Sequence, residues 1–143
     1  MNGSSSHRVF IDTNVWFSAF YGSKTSEKLI KAHLEGKIKA VISQQVLEEL
    51  VRNVSSKIPQ ALAPLKRLLE ASPPEIIADP KHLPKKVKNL VHPKDARILT
   101  AAIQAKVMLF VTGNIKDFNV KLLKDGYGIK ILNPSDAIKT LRL

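Results

Sequence analysis

The chain alternates between short apolar segments and longer segments with helical periodicity, and this alternation limits the possible folds more than any other feature. Five short segments are rich in Val and Ile and are mostly apolar throughout: 8–11, 38–43, 75–78, 107–112 and 128–132. Strands with this pattern are usually covered by other elements on both faces. We therefore predict five buried strands.

Segments with helical spacing lie between the predicted strands. Ser26 and Gly36 bound one of them, and Pro93 opens another, as is typical of a first helical turn. Pro64 is expected near a kink or break. Because strands alternate with helices, the sequence predicts an α/β fold with a mostly parallel sheet. A length of 143 residues suits one domain, spanning 1–143, with residues 1–7 expected to be flexible.

The charge balance favours anionic partners. The chain has 23 Lys and Arg against 12 Asp and Glu, a formal net charge of +11. Nucleic acid is the first candidate for such a partner. A lysine-rich surface that keeps the protein soluble explains the excess equally well. Charge alone therefore does not identify a function.

Composition and motifs exclude several classes of protein. The chain has no cysteine, so it has no disulfide, thiolate zinc site or cysteine nucleophile. The phosphate-binding patterns G-x-x-x-x-G-K-[ST] and G-x-G-x-x-G are also absent from the sequence. No apolar run is long enough to span a membrane, and the first residues lack the apolar segment of a signal peptide. We expect a cytoplasmic protein without a membrane partner.

Acidic side chains occur at the ends of predicted strands and the starts of predicted helices. Asp12 ends the first strand, Asp95 lies in the first turn of the helix before the fourth, and Asp117 follows the fourth. Glu48 and Glu49 lie on the helix after the second strand. In a parallel sheet these positions converge on the carboxyl edge, where ligands bind. The sequence therefore predicts that separate acids meet there.

Clustered carboxylates repel one another, so either some are protonated or a cation neutralises them. Oxygen ligands without cysteine favour Mg²⁺ or Mn²⁺, which are suited to phosphodiester hydrolysis. Each acid also has a simpler interpretation. Asp12 and Asp117 are placed to cap helices, Asp95 fits the helix dipole, and Glu49 fits a solvated helix face. Helical phase does not distinguish Glu48 from Glu49.

Three blocks of the sequence, taken in order, resemble the PIN-domain ribonucleases, which include the VapC-like toxins of toxin–antitoxin pairs. The first is "VFIDTNVWFSAF", a strand ending in Asp-Thr-Asn, and the second is "SQQVLEELVRNV". The third is "HPKDARILTAAIQAKVMLFVTGNIKDF", with an acid opening a helix, then a strand and Thr-Gly. The second block selects Glu49, which Leu50 follows, over Glu48.

The resemblance implies an α/β/α sandwich with a five-stranded parallel sheet, similar to the Rossmann fold. It also implies a Mg²⁺- or Mn²⁺-dependent endoribonuclease that hydrolyses single-stranded or structured RNA and leaves 5′-phosphate and 3′-hydroxyl ends. The implied metal ligands are Asp12, Glu49 and Asp95. The implied supporting residues and further members of the catalytic set are Thr13, Asn14, Thr112, Asn114 and Asp117.

The resemblance is incomplete at two positions, which leaves a rival interpretation open. Many relatives have Asp where this chain has Asn114, and many have an acid where it has His92. A PIN-like domain with an incomplete acidic set would bind RNA or a protein partner without cleaving. In either case the expected partners are RNA, an antitoxin protein and a second copy of the chain.

Two further groups of residues are candidates for binding. Lys85, Lys86 and Lys88 lie in a basic segment between Asp79 and Asp95, where they would either guide an RNA backbone or form a solvated loop. Four aromatic residues near the first block have the spacing of a helical face. We interpret them as core or dimer contacts rather than a platform for bases: Trp16, Phe17, Phe20 and Tyr21.

Overall fold

The computed structural model describes residues 7–143, and this range contains one five-stranded sheet. The strands are β1 (His7–Ile11), β2 (Ile38–Ser43), β3 (Glu75–Ile77), β4 (Leu109–Val111) and β5 (Lys130–Leu132). Neighbouring strands all pair in parallel, in the order β3-β2-β1-β4-β5. The predicted parallel sheet is therefore confirmed, with β2, β1 and β4 as neighbours.

Helices occupy most of the chain between the strands. They are α1 (Thr13–Phe20), α2 (Lys24–Leu34), α3 (Gln44–Lys57), α4 (Leu62–Ala71), α5 (Lys85–Lys88), α6 (Pro93–Gln104), α7 (Val120–Tyr127) and α8 (Pro134–Leu141). Short 3₁₀ turns occupy Pro59–Ala61 and Ile115–Asp117. None of these helices is both long and apolar enough to cross a membrane.

Several boundaries differ from those expected. β1 begins at His7, which had been assigned to the flexible start, and residues 1–6 lie outside the described range. β5 begins later than residue 128 because Gly128, at φ +67°, ends α7 in the left-handed conformation. The cap of α2 is Ser23 rather than Ser26, since Ser23 Oγ accepts a hydrogen bond from Ser26 N at 3.2 Å.

The positions of Pro93 and Pro64 in the structure agree with those predicted from the sequence. Pro93 opens α6. Pro64 lies in the first turn of α4, directly after the 3₁₀ turn at Pro59–Ala61. A proline is tolerated there because the N–H groups of a first turn have no partner within the helix.

The centre of the sheet is covered on both faces. Val9, Phe10 and Ile11 are consecutive in β1 and are all fully buried, although successive side chains in a strand point to opposite faces. On one face the ring of Phe10 stacks on that of Phe110 in β4, with centroids 4.9 Å apart. The protein is therefore an α/β/α sandwich, as expected.

The parallel arrangement brings the carboxyl ends of β1, β2 and β4 to one edge of the sheet. Asp12 follows β1 and continues its ladder, because its backbone N donates to Val111 O at 2.9 Å. Ser43 ends β2, and its side chain caps α3 through Val46 N. This edge carries the candidate site.

Candidate active site

Asp12 both caps α1 and holds a buried carboxylate at the sheet edge. Its Oδ1 accepts a hydrogen bond from Thr13 N at 2.8 Å, and its Oδ2 accepts one from Thr112 Oγ1 at 3.0 Å. Thr112 directly follows β4, so these two bonds fix the carboxylate between the first and fourth strands. The capping interpretation of Asp12 is therefore correct, and it is compatible with a role in the site.

Glu49 is held by two side chains near the start of α3. Its Oε1 accepts from Thr13 Oγ1 at 3.0 Å, and its Oε2 accepts from Gln45 Nε2 at 3.4 Å. Its neighbour Glu48 is exposed and accepts a hydrogen bond from Gln44 Nε2. Helical phase had left the choice between the two acids open. The structure places Glu49, and not Glu48, beside Asp12.

Asp95 lies in the first turn of α6 and is buried. Its backbone N donates to His92 O at 2.8 Å, and His92 Nδ1 accepts from Lys94 N at 3.3 Å, so His92 caps this helix. The dipole at this end of α6 favours a negative charge. Within residues 7–143, however, nothing donates a hydrogen bond to the buried Asp95 Oδ2.

The three carboxylates line one open cleft of about 450 Å³. They reach it from the end of β1, from α3 and from α6, as expected for a parallel sheet. The lining residues are Asp12, Thr13, Asn14, Phe17, Ser18, Glu49, Arg52, Asn53, Lys57, Lys94, Asp95, Ile98 and Asn114. In the described part of the chain, no three acidic or histidine side chains are close enough to form a ready-made metal site.

Burial and repulsion between charges make the ionised forms of Asp12 and Asp95 costly. Burial raises the pKa of Asp12 to about 6, and the charges of Asp95 and Glu49 add to this effect. The hydrogen bonds from Thr13 and Thr112 oppose it. Burial also raises the pKa of Asp95, against the opposing charge of Lys94. The cleft therefore holds negative charge that the protein itself only partly neutralises.

These residues fit a hard divalent cation by their chemistry. The donors are carboxylate oxygens and the amide oxygen of Asn114, and the lining offers no sulfur. Mg²⁺ and Mn²⁺ prefer oxygen ligands of this kind. The unpartnered Oδ2 of Asp95 is an acceptor that a cation would satisfy. The acidic residues of the lining, and therefore the candidates to hold such an ion, are Asp12, Glu49 and Asp95.

The remaining predicted site residues fall into two groups. Asn14 and Asn114 line the cleft, and Asn14 Oδ1 also accepts from Gly113 N at 2.9 Å. A Cβ on Gly113 would lie 3.1 Å from that oxygen, so a glycine permits the close approach. Asp117 lies outside the lining, in the turn after β4, although its charge raises the pKa of Asp95.

The predicted lysines are separate from the cleft. Lys85, Lys86 and Lys88 are exposed on α5 and are not among the lining residues. The cationic residues that line the cleft are Arg52, Lys57 and Lys94. The first two were not predicted from the sequence.

Helical spacing offered a signal for these two residues. Arg52, Asn53 and Lys57 follow Glu49 by three, four and eight positions, which places all four on one face of α3. Once Glu49 was chosen, this face was predictable from the sequence.

The protein belongs to the PIN-domain family. The family model for the PIN domain matches residues 8–116, which is well over half of the chain. No curated protein matches the sequence.

Two solved structures share the fold. One is VapBC2 from Rickettsia felis, bound to a DNA fragment from its promoter. It is 22% identical, with a TM-score of 0.62, and the alignment covers 88% of this chain and 98% of that one. The other is a toxin–antitoxin complex from Klebsiella pneumoniae, which is 18% identical with a TM-score of 0.56. That alignment covers 88% of this chain and 97% of the other.

The raised pKa of Asp12 predicts a pH-dependent stability in metal-free buffer. A buried carboxyl whose pKa rises from 3.8 to about 6 on folding favours the folded state when protonated. This favourable contribution is complete below about pH 4 and is lost as the pH rises through about 6. At about 1.4 kcal/mol per pKa unit, the loss is about 3 kcal/mol. In EDTA, Asp12→Asn should therefore raise the melting temperature at pH 8, and the gain should shrink towards pH 4.

The matched control is Asp125→Asn, because Asp125 is exposed on α7. Thermal unfolding across this pH range is the measurement. An Asp12→Asn variant that is destabilised equally at pH 8 and pH 4 would show that the Asp12 charge carries no such cost.

Proposed function

We propose that the protein is a metal-dependent endoribonuclease and the toxin of a toxin–antitoxin pair. The observation that supports this most strongly is the convergence of Asp12, Glu49 and Asp95, from distant parts of a PIN-domain chain, on one cleft. The formal net charge of +11 favours a polyanionic substrate. An acidic cleft in a basic protein suits a phosphodiester when a cation mediates the contact.

Asp12 and Asp95 are the proposed metal ligands, and Glu49 either completes the ligand set or orients the attacking water. The Thr112 hydroxyl holds the carboxylate of Asp12, and the Thr13 hydroxyl holds that of Glu49. Bound Mg²⁺ or Mn²⁺ would lower the pKa of a coordinated water and stabilise the negative charge that develops during hydrolysis. Of the two other candidates, Asn114 lines the cleft and is the better placed to contribute an oxygen. Asp117 would act through its charge.

The proposed reaction is hydrolysis of the phosphodiester bond. The oxygen of water bonds to phosphorus and the bond from phosphorus to the 3′ oxygen breaks. The proton that the water loses is taken up, directly or through solvent, by the 3′ oxygen. The products are a 5′-phosphate and a 3′-hydroxyl. Because water is the nucleophile, the ribose 2′-hydroxyl takes no part and no cyclic phosphate forms. Glu49 is positioned by Thr13 and Gln45 to orient this water.

The proposed protein partner is an antitoxin. Both similar structures are toxin–antitoxin complexes, and this is the support for the proposal. A groove between α1, α2 and α4 is the surface we assign to it. Its lining is mostly apolar, with Glu27 and Lys31 beside Ala19, Phe20, Ile30, Leu34 and Leu68. Leu34 is 46% exposed there. The gene beside this one should encode a small protein that copurifies with this chain when both are expressed.

A second candidate function is binding without cleavage. The amide of Asn114 brings no negative charge to the position where many relatives have Asp. If the remaining acids are too few for catalysis, the domain would bind RNA or a protein partner only. A measurement of RNA cleavage separates the two functions.

Cleavage of a labelled RNA is expected with Mn²⁺ and not with EDTA. Asp95→Asn should reduce the rate by about 100-fold, because losing a metal ligand should cost at least as much as losing a residue that only supports one. Asp125→Asn, a change of the same kind on the exposed surface, should retain the wild-type rate. The ends of the products are identified by mass spectrometry.

Two results would contradict the proposed reaction. Cleavage that persists in EDTA, or at full rate in Asp95→Asn, would require a different mechanism. Confirmed metal binding without cleavage of any RNA would favour the binding-only function.

The lysines of α5 are proposed to bind RNA phosphates outside the cleft. Replacing Lys85, Lys86 and Lys88 together by Ala should weaken RNA binding. It should also lower the slope of log affinity against log salt by about 2, at about 0.7 for each phosphate that a lysine no longer neutralises. Binding is measured by fluorescence anisotropy between about 50 and 200 mM salt. An unchanged slope would show that α5 does not bind the RNA.

A further inference from the structure

One wall of the cleft continues from the carboxylates towards the surface as a polar, cationic strip. On α3 this strip consists of Arg52, Asn53 and Lys57, of which Arg52 and Lys57 are exposed. Glu49 and Lys57 are eight positions apart, so they are separated by about 12 Å along the helix, at about 1.5 Å per residue. A stacked strand advances about 3.4 Å per nucleotide, so the wall is as long as about three nucleotides.

An aromatic pair at α1 lies next to the cationic strip and completes this wall. Phe17 of α1 lines the cleft, and its ring stacks on that of Tyr21, with centroids 5.6 Å apart and planes at 22°. Lys57 Nζ lies 5.7 Å from the centroid of the Phe17 ring. A positive charge, an aromatic pair and the carboxylate cleft are therefore continuous with one another.

The exposure of Tyr21 distinguishes it from a core residue. Tyr21 is 69% exposed, whereas Trp16, which precedes it by five residues in the same segment, is fully buried. Helical spacing had predicted that both residues belong to one core or dimer face. The structure separates them, because Trp16 packs inward while Tyr21 extends the Phe17 stack into solvent. With 69% of its surface exposed, Tyr21 keeps much of its ring accessible beyond the contact with Phe17.

We propose that this wall is a binding site for the single-stranded nucleotides next to the cleaved phosphate. Arg52 and Lys57 bind backbone phosphates, and one unpaired base stacks on the exposed ring of Tyr21. Cationic grooves with aromatic platforms bind single strands in this way, because every base offers a flat face for stacking. The site requires an unstacked base, so it selects single-stranded RNA over a duplex. The inference rests on the proposed function and extends it to the residues that hold the strand beside the cleaved phosphate.

The first experiment measures affinity without cleavage. A fluorescently labelled single-stranded RNA is titrated with the full chain in EDTA, and its anisotropy is followed. Tyr21→Leu should weaken binding about 5- to 10-fold, as expected for the loss of one stacked base. Tyr21→Phe is the matched control, because it retains the ring and should bind as the wild type does. Melting temperatures verify that both variants are folded.

The roles of the two cationic residues are tested by the salt dependence of the same binding reaction. Arg52→Ala and Lys57→Ala should each lower the slope of log affinity against log salt by about 0.7. Lys139→Ala is the control, because Lys139 is exposed on α8 and outside the cleft lining. Equal slopes for all three variants would overturn the assignment of Arg52 and Lys57.

An abasic scan locates the stacked base. Single nucleotides of the RNA are replaced in turn by a ribose without a base. At one position the change should weaken binding to the wild type about 5-fold or more and have no effect on binding to Tyr21→Leu. If no position behaves in this way, or if Tyr21→Leu binds as tightly as the wild type, Tyr21 is not a platform for a base.

These outcomes are separable from those of the proposed function. If the wild type cleaves RNA but Tyr21→Leu binds it unchanged, the nuclease function stands and the stacking site is wrong. If one abasic position weakens binding to the wild type but not to Tyr21→Leu, and no RNA is cleaved, the stacking site stands and the nuclease function is wrong. If the wild type binds no single-stranded RNA, the stacking site is also wrong.

Discussion

The arrangement of the site depends on one electrostatic conflict. Three carboxylates share a cleft at the edge of a buried sheet, and Asp12 is only 5% exposed. Burial and mutual repulsion raise the pKa of Asp12 to about 6. Hydrogen bonds from Thr13 and Thr112 keep its carboxylate in place but do not remove this cost. A group that disfavours its own ionised form while being held rigidly is typical of a functional site.

The fold supplies the rigidity that this conflict requires. Asp12 and Thr112 follow adjacent strands, so their hydrogen bond joins two parts of the chain separated by 100 residues. Thr13 then connects α1 to Glu49 on α3. Because the strands end at one edge, a few short bonds are enough to fix carboxylates from distant segments. Arg52 and Lys57 line the same cleft, and in the site we propose they would attract a polyanion towards the acidic centre.

The sequence predicted the sheet and the site unequally well. Continuous apolar segments such as 38–43 identified the strands, because burial on both faces leaves a strong local pattern. The convergence of Asp12 and Asp95 followed from topology alone. Glu49 could not be separated from Glu48 by helical phase, because both lie off the apolar centre of α3. The family resemblance selected Glu49, and the hydrogen bond from Thr13 shows where its carboxylate lies. Trp16 is buried and Tyr21 is exposed because of where α1 ends and how it packs. No local sequence pattern predicts this difference.

The most direct test of the central claim is the response of stability to divalent metal. Mn²⁺ is titrated into the wild type, Asp12→Asn, Asp95→Asn and the surface control Asp125→Asn, and the melting temperature is recorded. A ligand that binds the folded state stabilises it by about 2.7 kcal/mol at 100 times its dissociation constant. We expect Mn²⁺ to raise the melting temperature of the wild type and of Asp125→Asn. It should not raise the melting temperature of Asp12→Asn or Asp95→Asn. Equal rises in all four proteins, or none in the wild type, would contradict the assignment of the metal site.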